Sequence, residues 1–133
     1  MHTTNYVSTL ILPSPDCAAQ VATVPPKPGT VAAAQHERLF ETPYGLTSDG
    51  LIFGIHADRQ DIDEAERMGA RADFFFKGQP CLRASPLVRT YGWALHHDAE
   101  GRVALVDPAS ELFASLSARA DITKLNGMRS KRA

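Results

Sequence analysis

The sequence has few cysteines, a net charge close to zero and no long apolar run, and each of these absences excludes a class of protein. Two cysteines in 133 residues exclude a disulfide scaffold, and in a reducing compartment both thiols are expected to be free. A formal net charge of -1 gives no overall attraction to polyanions, so nucleic-acid binding is not expected. No apolar stretch approaches the roughly 18 residues that a membrane span requires, so no membrane partner is expected.

The first residues and the absence of several catalytic and nucleotide-binding motifs exclude further classes of protein. The N-terminal segment 2–5 lacks the basic and apolar regions of a signal peptide, which predicts a cytoplasmic protein. The sequence contains no glycine-rich dinucleotide fingerprint, no phosphate-binding P-loop and no Gly-x-Ser-x-Gly elbow. Rossmann-type oxidoreductases, P-loop NTPases and α/β-hydrolases are therefore not expected, and no cofactor is predicted.

The composition that remains is that of an ordinary globular domain. With 44% hydrophobic and 22% charged residues, the chain can bury one core, and we expect a single domain over residues 1–133. Five of the nine prolines fall within residues 13–29, which predicts a long, extended surface loop. Residues 127–133 form a basic tail, whose few cations offer only weak, salt-sensitive contacts with phosphates.

Hydrophobic alternation and capping signals predict a mixture of strands and helices. Predicted strands cover residues 6–12, 51–57, 91–97, 102–106 and 121–125. Predicted helices cover residues 31–41, 62–77 and 108–118, the last with Asp107 as its N-cap. Gly69 interrupts the second of these, so two shorter helices are the alternative there. Residues 91–106 are predicted to form a local hairpin. The mixture indicates the α+β class, with a small, mainly antiparallel sheet and helices packed on one face of it.

The segment from Lys77 to His97 carries more chemically versatile side chains than any other stretch of its length. Cys81 is a candidate nucleophile or redox thiol, because Lys77 and Arg83 nearby favour a thiolate. His96 is the candidate base if the fold brings it close. The alternative is that Cys81 is a buried and inert thiol, which is the commoner state of a free cysteine, so enzyme activity is left open.

The same segment offers a candidate ligand-binding site for a small anionic or aromatic molecule or a peptide. Arg83 and Arg89 carry forked donors suited to carboxylate or phosphate, and Ser85 adds a hydroxyl. Tyr91 and Trp93 present flat rings for stacking. Residues 81–85 are predicted to be a short edge strand or an extended loop, and strand alternation places Arg83 beside Ser85. The alternative is that Trp93 is part of the core and that both arginines pair with the acidic residues Asp61, Asp63, Glu64 and Glu66.

The histidines permit a metal hypothesis, but no metal site is predicted. His56 and His96 would be two ligands if their strands were neighbours, with Asp49 or Asp58 as a third. The sequence contains no His-x-x-x-His or His-Glu-x-x-His spacing and no cysteine pair. Solvated or hydrogen-bonded histidines are the competing interpretation.

Several segments of the sequence together resemble one known family. They are Met-His-Thr-Thr-Asn-Tyr at the start, Phe-Phe-x-Lys-Gly-Gln-Pro-Cys-Leu-Arg-Ala-Ser-Pro-Leu and Tyr-Gly-Trp in the middle, and Met-Arg-Ser-Lys-Arg-Ala at the end. The chain resembles the bacterial and fungal domain-of-unknown-function family 6157 over essentially its whole length. The resemblance implies no established activity, ligand or cofactor. Gly50, Gly54 and Thr90 stand where the family tends to have Asp, Glu and a basic residue.

Three functions from different classes therefore stay open. The first is a binding module, the second an enzyme that uses Cys81 or His96, and the third a structural or interaction protein whose oligomeric state the sequence does not reveal. The first two require Cys81, Arg83, Tyr91 and His96 to line one pocket.

Overall fold

The computed structural model describes residues 2–130, which build one five-stranded sheet flanked by helices. The strands are β1 (Thr9–Leu12), β2 (Leu46–Thr47), β3 (Ala94–His97), β4 (Arg102–Val106) and β5 (Thr123–Asn126). The helices are α1 (Val31–Glu41), α2 (Ser48–Arg59), α3 (Arg67–Phe76), α4 (Pro86–Arg89) and α5 (Glu111–Ala118). Within residues 2–130, no helix is both long enough and apolar enough to cross a membrane.

The sheet is mainly antiparallel, as predicted. Its strand order is β2-β4-β3-β1-β5, and only the β1–β5 pair is parallel. The predicted hairpin forms β3 and β4, and Asp98 shapes its connection by accepting hydrogen bonds from the backbone of Glu100 and Arg102. Gly101 has φ +79°, a conformation that glycine adopts without strain.

Helices bury both faces of this sheet. On one face, which we call the α1 face, Ile11, Leu95 and Val103 pack against side chains of α1, α2 and α4. On the other, the α5 face, Leu10 and its strand neighbours pack against Leu116 of α5. The predicted α+β class, with a single domain and a mainly antiparallel sheet, is confirmed. The predicted packing of helices on one face is too narrow, because α5 covers the second face.

The strand predicted over residues 51–57 is wrong, because these residues form the middle of α2. Thr47 caps the helix by accepting a hydrogen bond from the Gly50 backbone at 3.0 Å. The apolar positions fall into two helical pairs: Leu51 and Ile55 contact the α1 face of the sheet. The second pair, Phe53 and Ala57, packs against α3. Because both sides of the helix are buried, its sequence shows the every-second-residue pattern of a strand.

Two further helix boundaries differ from the predicted ones. The final helix begins at Glu111 with Ser110 as N-cap, since the Ser110 hydroxyl accepts from the Phe113 backbone and Asp107 shapes the preceding turn. The helix predicted over residues 62–77 is divided into a 3-10 turn, Glu64–Glu66, and α3.

The proline-rich segment 13–29 contains no helix or strand and is fixed across the start of β3. The Thr23 backbone donates to the Tyr91 carbonyl at 2.8 Å, and the Trp93 indole nitrogen donates to the Thr23 carbonyl at 2.9 Å. Gly92 has φ +78°, and a Cβ there would lie 2.9 Å from the Val21 carbonyl oxygen. The predicted basic tail lies partly outside the described residues, which end at Ser130.

Candidate functional site

The two residues predicted as a catalytic pair lie on opposite faces of the sheet. The Cys81 sulfur is 3.2 Å from the hydroxyl of Tyr6, whose ring makes an edge contact with His97 on the α1 face. His96 points to the α5 face, with its Nδ1 2.7 Å from the Tyr44 hydroxyl. Burial lowers the pKa of His96 and raises the pKa of Tyr44. His96 is therefore not placed to act as a base toward Cys81.

The two arginines predicted to bind a ligand lie in different environments. Neither pairs with the acidic residues that were the alternative partners. Arg83 donates from Nε to the Asn126 carbonyl at 2.8 Å, which ties it to the end of β5. The Nε of Arg89 is buried and has no hydrogen-bond partner within residues 2–130. Neither arginine forms an ion pair in that range.

The remaining predicted ligand residues make contacts with other parts of the fold. Residues 81–85 do not form the predicted strand or extended loop, because Leu82–Ala84 is a 3-10 turn that leads into α4. Arg83 and Ser85 are therefore not strand neighbours. Trp93 packs at 5.3 Å from the ring of His36, and Tyr91 receives its backbone hydrogen bond from the proline-rich segment. The structure does not bring the predicted set into one pocket.

Ser85 connects α4 to α1 and is buried. Its hydroxyl donates to the Gln35 side chain at 2.6 Å and accepts from the Leu87 backbone at 3.1 Å. We expect Ser85→Ala to lower the free energy of unfolding by about 2 kcal/mol, because it removes a helix cap and leaves a buried amide oxygen unpaired. Urea unfolding measures this loss. Ser115→Ala on exposed α5 is the control, and equal stability of the two variants would contradict the role.

The four residues of the metal hypothesis do not converge either. Asp49 accepts hydrogen bonds from Thr3 and Thr4. Asp58 pairs with two arginines, Arg38 and Arg67, and His56 lies on α2, on the other side of the sheet from His96. Among the residues that the structure describes, no group of three potential metal ligands is close enough to hold an ion.

The structure instead shows a cavity of about 260 Å³ between α1, α2 and α3, which we call the α1–α2 cleft. Its apolar walls are Val31, Ile52, Ile55 and Phe74. Its polar side chains are Gln35, His56, Arg59, Gln60 and Gln79. Small-molecule sites combine apolar walls with convergent polar groups, and this cleft has both, with a larger polar share than is usual.

Helix periodicity explains why α2 supplies most of this cleft. Ile52, Ile55, His56 and Arg59 recur at the spacing i, i+3, i+4 and i+7, so they share one side of the helix. Phe74 closes the far wall, with its ring centroid 4.4 Å from that of His56 and the two planes at 31°. The cleft wall thus contains two aromatic rings from different helices that pack against each other.

The electrostatics of the cleft favour an anion. None of its lining residues is acidic, and Arg59 is its one Lys or Arg. Arg59 donates through Nη1 to the Gly29 carbonyl at 2.7 Å and forms no ion pair within residues 2–130. A guanidinium has five donors, so most of them remain for a ligand. The arrangement can hold a carboxylate or phosphate at the mouth of the cleft.

A family model described as "Family of unknown function (DUF6157)" matches residues 1–133, the whole chain. The chain belongs to this family. The match confirms the resemblance seen in the sequence. Neither the curated proteins nor the solved structures contain a match to this chain. The function of this DUF6157 member must therefore be argued from its own cleft.

The sequence analysis missed the cleft because it assigned α2 to a strand. In a strand, His56 shares a face with Ile52 and Gly54, and Arg59 falls beyond the strand end. The signal was present, since the helical spacing of Ile52, Ile55, His56 and Arg59 is visible in the sequence. The preceding Thr47, three residues before Gly50, was the capping signal that favours the helix.

Proposed function

We propose that this protein is a small cytoplasmic binding module that holds a small anionic or aromatic molecule in the α1–α2 cleft. The observation that carries the proposal is Arg59, a guanidinium without an ion pair in the described chain, at a cleft with no acidic side chain. The proposal moves the anion anchor from the predicted Arg83 and Arg89 to Arg59. Ser85 keeps an indirect part, because it fixes Gln35.

The chemistry of the cleft matches each part of such a ligand. The Arg59 fork suits a carboxylate, which it can bind through two parallel hydrogen bonds. The rings of His56 and Phe74, which pack against each other in the wall, offer aromatic contacts to a ring or a conjugated chain. Gln60 and Gln79 supply amide groups that can select for the remaining polar atoms. The volume of about 260 Å³ lies just below the usual range of about 300–1,000 Å³ for ligand pockets, which favours a small ligand.

The proposal is tested with benzoate, indole-3-acetate and inorganic phosphate as anionic probes and with benzamide as the uncharged control. We expect an anion to raise the melting temperature of the wild-type protein. We expect Arg59→Gln to lower the affinity for that anion by about tenfold or more, since a charge-assisted hydrogen bond contributes roughly 1.5–3 kcal/mol. Calorimetric titration gives the dissociation constants.

The matched control is Arg102→Gln, which removes an exposed arginine from β4, away from the cleft. This variant should bind the anion as the wild type does. The proposal fails if none of the anions binds, if benzamide binds as tightly as benzoate, or if Arg59→Gln and Arg102→Gln weaken binding equally.

A further inference from the structure

A second surface, separate from the α1–α2 cleft in its chemistry, surrounds an exposed aromatic ring on α1. Phe40 is 69% exposed, and an exposed apolar side chain indicates a contact surface when other apolar groups adjoin it. Its ring stacks on His36, with centroids 5.8 Å apart and planes at 11°. His36 in turn contacts Trp93. A row of three rings therefore runs from the sheet to the surface and supports Phe40 from below.

Depressions lie on both sides of this ring, and we call the whole surface the Phe40 groove. The larger depression, about 600 Å³, is bounded by α1 and the proline-rich segment with the exposed Val24. The smaller, about 330 Å³, is bounded by Trp93, Pro43 and Leu112 of α5. Phe40 lines both. The two depressions are thus mainly apolar and adjoin the same ring.

The charged groups around the groove are mainly acidic. Glu37 and Glu41 line the larger depression and Asp107 lines the smaller. None of the three carboxylates forms an ion pair in the described part of the chain. The one Lys or Arg of the lining is Arg59, which is tied to the Gly29 carbonyl at the outer end. The groove therefore complements a cationic partner, in contrast to the α1–α2 cleft.

We infer that the Phe40 groove binds an extended peptide segment of a partner protein that carries apolar side chains beside Lys or Arg. Alternate side chains of an extended peptide lie roughly 7 Å apart on the same side, so two apolar side chains can enter the depressions on either side of one ring. The three carboxylates then meet the basic side chains at the rim, where charge sets specificity and association rate. The inference goes beyond the proposed function, since it concerns a ligand of the opposite charge, and the groove shares only Arg59 with the lining of the α1–α2 cleft.

The test is a selection of phage-displayed random dodecapeptides on the wild-type protein, followed by calorimetric titration of the enriched peptides. We expect the enriched sequences to combine aromatic or aliphatic residues with Lys or Arg. Phe40→Ala should lower the affinity for these peptides by about tenfold or more, as expected for an aromatic anchor. Glu37→Gln combined with Glu41→Gln should weaken them several-fold, and more strongly at low salt.

The chain offers a matched control for the ring. Phe76 ends α3 and is 78% exposed, so Phe76→Ala removes the same side chain from another surface and should leave peptide affinity unchanged. Because both rings are exposed, both variants should fold, which circular dichroism checks. The inference is overturned if no peptide is enriched, if the enriched peptides are acidic, or if the two variants behave alike. Self-association in gel filtration that Phe40→Ala abolishes would assign the groove to a second copy instead and would also overturn it.

Discussion

Lowering the pH from 7 to 4 is expected to cost about 3 kcal/mol of unfolding free energy through His97 alone. His97 is fully buried on the α1 face of the sheet, and burial is the main reason that its pKa falls from 6.5 to about 4. The charge of the neighbouring His96 acts in the same direction, while Asp98 and the Leu95 backbone oppose it. Between these two pKa values the unfolded state binds a proton that the folded state does not. The stability is therefore present above about pH 6.5 and is lost as the pH falls toward 4.

Urea unfolding of the wild type and of His97→Leu across this pH range isolates the contribution. Burial also lowers the pKa of His36 and His96, so both proteins lose stability in acid, and the difference between their curves reports His97. At pH 7, His97→Leu should be at least as stable as the wild type. Neither ring nitrogen of His97 has a hydrogen-bond partner of ordinary geometry within residues 2–130, so the substitution removes two buried, unpaired polar atoms. Parallel curves would contradict the prediction. An NMR titration that finds His97 charged at pH 5 would contradict it independently.

The elements that sequence analysis predicted well are those whose signals are local. The hairpin of β3 and β4 depends on alternation and a short connection, and α1 depends on Thr30 as its cap, whose hydroxyl accepts from the Ala33 backbone. The strand predicted over 51–57 failed because burial on two sides of α2 gives the same pattern as burial on one side of a strand. Only the packing of α2 between the sheet and α3 distinguishes them, and that packing is not local.

The candidate site was harder to predict for the same reason. Many reactive side chains lie between Cys81 and His96 in the sequence, but closeness in sequence does not bring them into one site. Alternate residues of a strand point to opposite faces of the sheet, and Cys81 and His96 lie on opposite faces. The α1–α2 cleft instead joins residues far apart in sequence, such as Gln35 and Phe74. Arg59 matters because it lines the cleft and forms no ion pair within residues 2–130, which is a property of the tertiary structure.

The N-terminal segment is locked to the start of α2 by one buried carboxylate, Asp49. Its Oδ1 accepts from the Thr4 backbone at 2.7 Å and from the Thr4 hydroxyl at 2.6 Å. Its Oδ2 accepts from the Thr3 hydroxyl at 2.7 Å. In return, the Asp49 backbone donates to the Asn5 side chain at 2.9 Å. This lock positions the following Tyr6, whose hydroxyl meets Cys81 and whose ring covers His97.

We expect Asp49→Ala to lower the free energy of unfolding by about 4 kcal/mol, measured by urea unfolding at pH 7. The substitution removes a charged acceptor of three hydrogen bonds, leaves the buried Thr4 backbone unpaired and loses a favourable charge in the first turn of α2. Asp49→Asn keeps the Oδ1 acceptor and should lose only about half as much. Hydrogen exchange should show the Thr4 amide protected in the wild type and exposed in Asp49→Ala.

The matched control is Asp73→Ala, because Asp73 is exposed on α3 and forms no ion pair within the described residues. This variant should change stability by no more than about 0.5 kcal/mol. If Asp49→Ala and Asp49→Asn lower the free energy of unfolding equally, the charge of Asp49 rather than its acceptor geometry holds the N-terminal segment. If Asp49→Ala is as stable as Asp73→Ala, residues 3–6 are not held by this carboxylate. Tyr6 would then need another anchor to keep its ring against the buried imidazole of His97.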